Sequence, residues 1–183
     1  MKKLIAVAAA AFLSVSLFAQ AADKSECLEV GSKVGAFYVT DVTGPEAGKK
    51  LCYRCKYGNR PVVTIFSRNV DDQVTSLVKE VDGVVGKNQD KDMAAFVVLL
   101  SDNPEKSAES LKKAADTAGV KHTPLTTFDG QSGPEGYKIA KDADVTVMMW
   151  VKGELKINET YKAGKLDKDT VTKLVKETST ILN

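Results

Sequence analysis

Two short apolar runs separated by a helical pattern constrain the fold of this chain more than any other feature. Residues 61–66 and 93–100 are rich in apolar side chains and are bounded by turn residues, as is typical of strands buried on both faces. Between them, from residue 71 to residue 86, apolar side chains recur every three or four positions, which predicts an amphipathic helix. A strand, a helix and a second strand in this order predict an α/β domain built on a parallel sheet.

The rest of the chain continues this alternation and adds a hairpin. Lys152-Gly153 lies between two β-rich runs and predicts a tight antiparallel turn. The other predicted elements are a first strand at 34–42, a helix at 105–118, a short strand at 122–128, the hairpin strands at 144–151 and 154–161, and a terminal helix at 167–182. Because alternating elements require a parallel core covered on both sides, we predict an α/β fold with a mixed β-sheet flanked by helices on both faces.

A Cys-x-x-Cys pair, Cys52 and Cys55, precedes the first buried run. Cysteines at this spacing can close a small disulfide ring, and cationic neighbours favour the reactive thiolate. The neighbouring cations are Lys49, Lys50, Arg54, Lys56 and Arg60, and no acidic residue occurs between positions 49 and 60. The pair is therefore a candidate reactive dithiol, although a structural disulfide in an exported protein fits the same pattern.

The first 21 residues carry the pattern of a secretory signal peptide. A positive start at Lys2 and Lys3 precedes an uncharged apolar stretch, and Ala19-Gln20-Ala21 has the small-x-small form of a cleavage site. We expect cleavage after Ala21, a mobile segment at 22–33 and one domain at 34–183. The signal has a bacterial style, which predicts a periplasmic or secreted protein.

The mature chain has balanced charge, and this excludes one class of partner. Removing Lys2 and Lys3 from the 26 basic residues leaves 24, against 24 acidic residues. A nucleic-acid partner would require a sustained basic surface, so we expect none. No second long apolar run follows the signal, so no membrane span is expected after cleavage. The chain also lacks a Gly-rich phosphate loop and a His-Glu-x-x-His motif, and we predict no cofactor.

The order of elements resembles the thioredoxin superfamily in its peroxiredoxin-like extended form, over about residues 34 to 182. The resemblance is carried by the central strand at 62–66, the late hairpin around Lys152-Gly153 and the terminal helix. In that family the reactive cysteines follow the central strand, whereas residues 67–72 contain none here. The family's cis-proline position corresponds to Val145, where we expect a trans bond. Peroxidase chemistry of the peroxiredoxin type is therefore not expected.

The leading functional hypothesis is a thiol-disulfide oxidoreductase that uses Cys52 and Cys55 at a displaced position. By analogy, the more N-terminal and more exposed thiol would attack, and the partner would be a protein thiol or disulfide. The alternative is a non-catalytic binding or scaffold protein in which Cys52 and Cys55 form a structural disulfide. The cleft or apolar patch of such a binding protein would lie where the family has its reaction centre, near Ser67, Arg68, Asn69 and Trp150.

A zinc site is a weaker alternative. Its donors would be three sulfurs and one nitrogen, from Cys27, Cys52, Cys55 and His122. Only the spacing of the Cys-x-x-Cys pair supports such a site, so we predict no bound metal. The sequence does not fix the oligomeric state.

Overall fold

The computed structural model describes residues 27–183, which form one seven-stranded mixed sheet with the strand order β2-β1-β5-β4-β3-β6-β7. The predicted signal peptide at 1–21 lies outside the described residues. The strands are β1 (Val39–Asp41), β2 (Lys50–Leu51), β3 (Val62–Ser67), β4 (Ala94–Ser101), β5 (Leu125–Asp129), β6 (Val145–Val151) and β7 (Glu154–Tyr161). The helices are α1 (Tyr53–Tyr57), α2 (Asp72–Lys87), α3 (Pro104–Ala118), α4 (Lys168–Glu177) and α5 (Ser179–Leu182), with 3-10 turns at Gln89–Lys91 and Glu135–Tyr137.

Strand β3 is the centre of the sheet. It pairs in parallel with β4 and antiparallel with β6, and β4 pairs in parallel with β5. The predicted hairpin joins β6 to β7, and Lys152 and Gly153 both adopt positive φ, at 54° and 68°. Two positive φ values give the turn the twist that a two-residue hairpin requires. The mixed α/β sheet predicted from the sequence is confirmed.

The two faces of the sheet are covered differently. On one face α2, α3 and α4 pack over alternate residues of the central strands, including Val63 and Ile65. The other face carries a second core rich in aromatic side chains, in which α1 and the segment around Tyr137 pack on Phe66 and Phe96. Helices therefore lie on both faces, but the long helices share one face and the five-residue α1 lies on the other.

Caps define the ends of the longer helices. The carboxylate of Asp71 accepts a hydrogen bond from Val74 N at 2.8 Å at the start of α2, and Asn103 caps α3 through Lys106 N at 3.2 Å. Gly119 ends α3 in the left-handed conformation with φ 67°. These side chains supply partners for backbone N–H groups that a helix terminus leaves free. The helices accordingly begin and end close to the positions that the sequence predicts.

Two predicted elements differ from the sequence-based expectation, and β2 and α1 are present without having been predicted. The first strand was predicted at 34–42, but β1 covers only Val39–Asp41. Residues 34–37 bond to the hairpin through Val34 N and Gly153 O at 3.0 Å, and Phe37 packs into the aromatic core, so this stretch does not join the sheet as a strand. The terminal helix is divided at Thr178, whose hydroxyl donates to Val175 O at 2.7 Å.

The segment that precedes the sheet follows strand β7. Asn158 Nδ2 donates to Leu28 O at 2.8 Å, and Gly31 N donates to Leu155 O at 2.8 Å. These contacts cover part of an edge strand that would otherwise present unpaired backbone groups. The mobility of 22–33 stays a prediction. Within residues 27–183, no helix has both the length and the apolar character needed to cross a membrane.

Candidate functional site

The candidate site is the first turn of α1. Cys52 and Cys55 are joined in a disulfide, with their Cα atoms 5.2 Å apart. Cys52 is the N-cap residue in an extended conformation, and its Sγ accepts a hydrogen bond from Cys55 N at 3.0 Å. The same short turn therefore closes the sulfur ring and supplies a backbone donor to one of its sulfurs.

The two cysteines differ in exposure. Cys52 is buried, with 8% of its surface accessible, whereas Cys55 is exposed. Tyr53 and Tyr57 are four residues apart on α1 and both enter the core, which leaves Cys55 on the outer side of the turn. The expectation that the more N-terminal thiol is also the more exposed one is wrong.

Tyr53 fixes α1 to the sheet. Its ring stacks on Phe96 with centroids 5.4 Å apart, and its hydroxyl donates to Asp41 Oδ2 at 2.8 Å. Asp41 is only 1% exposed and also accepts from the backbone N–H groups of Gly44 and Glu46, at 2.8 and 2.9 Å. Burial and the neighbouring Asp41 raise the pKa of Tyr53 far above its usual value. The tyrosine is therefore a neutral hydrogen-bond donor that holds a buried carboxylate.

Arg54 shows at which end of the sheet α1 lies. Its Nε donates to Val34 O at 3.1 Å and its Nη1 to Gly58 O at 3.2 Å. The guanidinium also lies so close to Gly153, in the β6–β7 turn, that a side chain at Gly153 would collide with it. From Val145 to Val151, β6 rises through about 20 Å. The guanidinium contact at the turn thus lies about one strand length from Val145, the residue that the sequence resemblance matches to the family's cis-proline.

The positive charge around the disulfide is partly neutralised. Lys49 Nζ lies 2.9 Å and Lys56 Nζ 3.6 Å from carboxylate oxygens of Glu46. The hydrogen bond from Lys49, followed by the charges of both lysines, lowers the pKa of Glu46. Glu46 lies just outside the acid-free stretch at 49–60, so the sequence pattern overstated the local positive charge.

At the opposite end of β3, the side chains of Ser67 and Arg68 are bound to main-chain groups, whereas the buried Oδ1 of Asn69 has no hydrogen-bond partner among the described residues. Ser67 Oγ donates to Asn69 O at 2.7 Å, and Arg68 donates to the carbonyls of Gln131 and Ala143. Trp150 is fully buried and pairs with Val62 at the start of β3, whereas Ser67 pairs with Val145. The strand therefore separates Trp150 from the other three residues of the hypothesised cleft, while Ser67 and Asn69 line a small apolar pocket with residues of α2 and α3. All peptide bonds between residues 27 and 183 are trans.

The structure does not assemble the zinc donors considered above. The disulfide occupies both sulfurs of the Cys-x-x-Cys pair, so neither is a thiolate ligand in this state. Within the described part of the chain, no three His, Cys, Asp or Glu side chains are grouped as a metal site would require. Cys27 is a free thiol of intermediate exposure.

The similarity of this chain to known proteins is found in the structure. No family model and no curated protein matches the sequence. A Chlorobium tepidum protein provisionally named as the thiol:disulfide interchange protein DsbE has 12% sequence identity and a TM-score of 0.66, covering 85% of this chain and 99% of that chain. The thioredoxin domain of a thiol-disulfide oxidoreductase from Bacteroides vulgatus has 17% identity and a TM-score of 0.58, covering 81% and 99% of the two chains.

Peroxiredoxins are similar to this chain in structure to the same degree as the oxidoreductases. AhpC from Mycobacterium tuberculosis has 10% identity and a TM-score of 0.66, covering 86% of this chain and 99% of its own. At these identities the similarity concerns the arrangement of the backbone and carries no residue roles. The predicted resemblance is confirmed at that level, and the chain has a thioredoxin-like fold.

Proposed function

We propose that the protein is an exported thiol-disulfide oxidoreductase whose reactive groups are Cys52 and Cys55. The exposure of Cys55 within the disulfide is the observation that carries this proposal. Thiol-disulfide exchange requires a thiolate to approach a disulfide sulfur from outside, and an accessible sulfur permits this approach. Cys55 is accordingly the exchanging sulfur and Cys52 the resolving sulfur, the reverse of the order expected by analogy.

The oxidising direction proceeds in two exchange steps. A substrate thiolate attacks Cys55 Sγ, the Cys52–Cys55 bond breaks, and Cys52 leaves with the electron pair as a thiolate. A second substrate thiolate then attacks the substrate sulfur of the mixed disulfide, and Cys55 leaves as a thiolate. The substrate loses two electrons and gains a disulfide, while the protein gains both electrons as a dithiol. The Cys55 N–H at 3.0 Å is placed to stabilise the Cys52 thiolate, because a hydrogen bond to the charged form favours it.

The short sulfur ring contributes little to stability, which supports an exchange role over a structural one. The two cysteines are three positions apart in the sequence. In the chain-entropy model a ring of about four residues contributes only about 2 kcal/mol, much less than a crosslink between distant segments. A domain of this size with two buried cores does not depend on such a contribution.

Export and partner class belong to the same proposal. The signal pattern at residues 1–21 supports a periplasmic or secreted location, and that compartment keeps disulfides formed. The partner would be a protein that carries a thiol or a disulfide. Peroxiredoxin-type peroxidase activity is not part of the proposal, since residues 67–72 contain no cysteine.

A second candidate function, a non-catalytic binding protein with a structural disulfide, is favoured by one observation. Cys52 is buried at 8% exposure, and burial of one sulfur restricts exchange of the disulfide with external thiols. The two candidates therefore differ in whether Cys55 exchanges with external thiols.

The deciding experiment measures the redox potential of the Cys52–Cys55 pair together with the order of alkylation. Catalysis predicts a potential between about −120 and −270 mV. A brief pulse of alkylating agent after partial reduction should modify Cys55 before Cys52, as read by peptide mass spectrometry. A potential below about −300 mV would assign the bridge a structural role. Cys27→Ser is the matched control, since that thiol lies outside the ring.

A further inference from the structure

A cleft of about 480 Å³ lies on the side of α1 that carries Tyr53 and Tyr57. Its walls are α1, the C-terminal parts of α2 and α3, and the loop that leads into β5. We propose that this cleft binds a small organic anion, with the charged group among its lysine and arginine side chains and an apolar body on its floor. The proposal is independent of the thiol-disulfide function, because it does not involve either sulfur.

The charged side chains that line the cleft are all basic, although the buried carboxylate of Asp41 lies behind the lining and accepts hydrogen bonds from Tyr53 and Gly44. Lys56, Arg60 and Lys121 line the cleft together with His122, and no lining residue is an aspartate or glutamate. The nearby Asp82 is buried behind the loop, where it accepts hydrogen bonds from the backbone N–H groups of Lys121 and His122 at 2.7 to 3.2 Å. That carboxylate therefore positions the loop that carries Lys121 and is not itself a wall of the cleft.

Arg60 is held in place before any ligand arrives. Its Nε donates to Asp92 O at 2.6 Å and its Nη2 to Met93 O at 3.3 Å. The guanidinium also lies over the ring of Tyr57, 5.2 Å from the ring centroid. A guanidinium has five N–H donors, so about three remain for a ligand after these two bonds. Because the planar group is already fixed, little conformational entropy is lost when it binds a carboxylate or phosphate.

Lys121 supplies a second charge that no protein group neutralises. Its side chain is exposed and makes no ion pair or hydrogen bond with residues 27–183. Lys56, by contrast, lies 3.6 Å from Glu46, so its charge is shared. The two cations available to an anion are therefore Arg60 and Lys121, which lie in different walls of the cleft.

Buried and half-buried apolar side chains line one part of the cleft, which is called its floor here. Val85, Met93, Ala115 and Val120 contribute to it. Thr123 also lines it at 2% exposure, and its hydroxyl has no hydrogen-bond partner among the described residues. A concave site that combines apolar side chains with a few convergent polar or charged groups is typical of small-molecule pockets, and the volume of this cleft falls within the usual range of about 300 to 1,000 Å³. A fully hydrated inorganic ion would leave this floor unused, which favours an organic anion.

The test titrates the oxidised protein with phenyl phosphate and follows backbone amide shifts by NMR. Benzyl alcohol, a neutral aromatic molecule, is the comparison probe. We expect saturable shifts that centre on residues 56–60 and 120–124 for phenyl phosphate and much smaller shifts for benzyl alcohol. Lys121→Gln should weaken binding by about tenfold, the effect of one charge-assisted contact. Lys79→Gln, at an exposed lysine of α2 outside the cleft, is the matched control and should leave the affinity unchanged.

Three results would overturn the proposal. One is the absence of saturable shifts at about 10 mM phenyl phosphate, a concentration that would nearly fill a site of 1 mM affinity. A second is equal binding of benzyl alcohol, which would remove the role of charge. The third is an equal loss of affinity in Lys79→Gln and Lys121→Gln, which would indicate general attraction to the surface.

Discussion

The two ends of strand β3 differ in chemical character. Where β3 ends, Ser67 and Arg68 donate to main-chain carbonyls, so their polar groups are occupied by the loops around them. Where β3 begins, α1 presents an exposed sulfur on one side and a basic cleft on the other. At the end where thioredoxin relatives keep their cysteines, Ser67 and Arg68 are bound to main-chain groups here, and the pair proposed as reactive lies at the opposite end. Under the proposed function, the sheet is retained while the reactive pair lies at its other end.

The largest expected effect tests this contrast directly through exchange activity. Cys55→Ser should reduce the protein-dependent rate of insulin disulfide reduction by at least about a hundredfold, because the exposed member of the pair is removed and the buried Cys52 has no partner with which to form the disulfide. Asn69→Ala, at the other end of β3, should stay within about twofold of the parent rate. The rates are measured in the presence of dithiothreitol. Equal losses in the two variants would remove the distinction between the ends.

The second prediction concerns folding stability at alkaline pH. It tests whether the tyrosines of α1 determine the pH at which this stability is lost. Burial is the main cause that raises the pKa of Tyr53 and of Tyr57 above the usual 10.0. Because the folded-state pKa is raised, this stability is fully present below about pH 10 and is lost as the pH rises above it. Each tyrosine should then lower the free energy of unfolding by about 1.4 kcal/mol per pH unit.

Urea unfolding between about pH 9.5 and 11.5 measures this slope. The variant Tyr53→Phe/Tyr57→Phe should be less steep, by about 1.4 kcal/mol per pH unit at pH 10 and by about 2.6 kcal/mol per pH unit at pH 11.5. Tyr38→Phe, at a tyrosine that is 59% exposed, is the matched control. An unchanged slope in the double variant would show that α1 does not set the alkaline limit.

The third prediction concerns reduction of the disulfide. Opening the ring should cost about 2 kcal/mol in the free energy of unfolding, because the ring spans so few residues. Cys52→Ser/Cys55→Ser should show the same loss and retain the circular dichroism spectrum of the parent. Unfolding of the reduced protein at room temperature would instead support the structural role of the bridge.

The smallest expected effect is that of Tyr53→Phe at neutral pH. The change keeps the ring on Phe96 but removes the hydroxyl that donates to Asp41. Asp41 keeps two backbone donors, so we expect a loss of about 1 to 2 kcal/mol in the free energy of unfolding, measured by urea denaturation. No loss would mean that water replaces the hydroxyl without cost.

The elements with strong periodicity could be predicted from the sequence, and the tertiary contacts could not. Runs such as Ala94–Ser101 and the Lys152-Gly153 turn carry local signals, and the structure has them within a few positions. Helix α1 is five residues long, too short for a period to be visible. Its helical form depends on Tyr53 and Tyr57 entering the core, and this burial also decides that Cys55 is the exposed cysteine. Glu46 likewise reaches Lys56 only through the folded loop.

The single turn that carries the sulfur pair is also a wall of the basic cleft, since Tyr53 and Lys56 line the cleft and Cys52 and Cys55 belong to the same turn. Binding and electron transfer at this turn obey one thermodynamic cycle. A tenfold difference in ligand affinity between the dithiol and disulfide forms must appear as a shift of about 30 mV in the midpoint potential. A ligand titration followed by potentiometry would therefore measure this linkage, whether the ligand raises or lowers the midpoint potential.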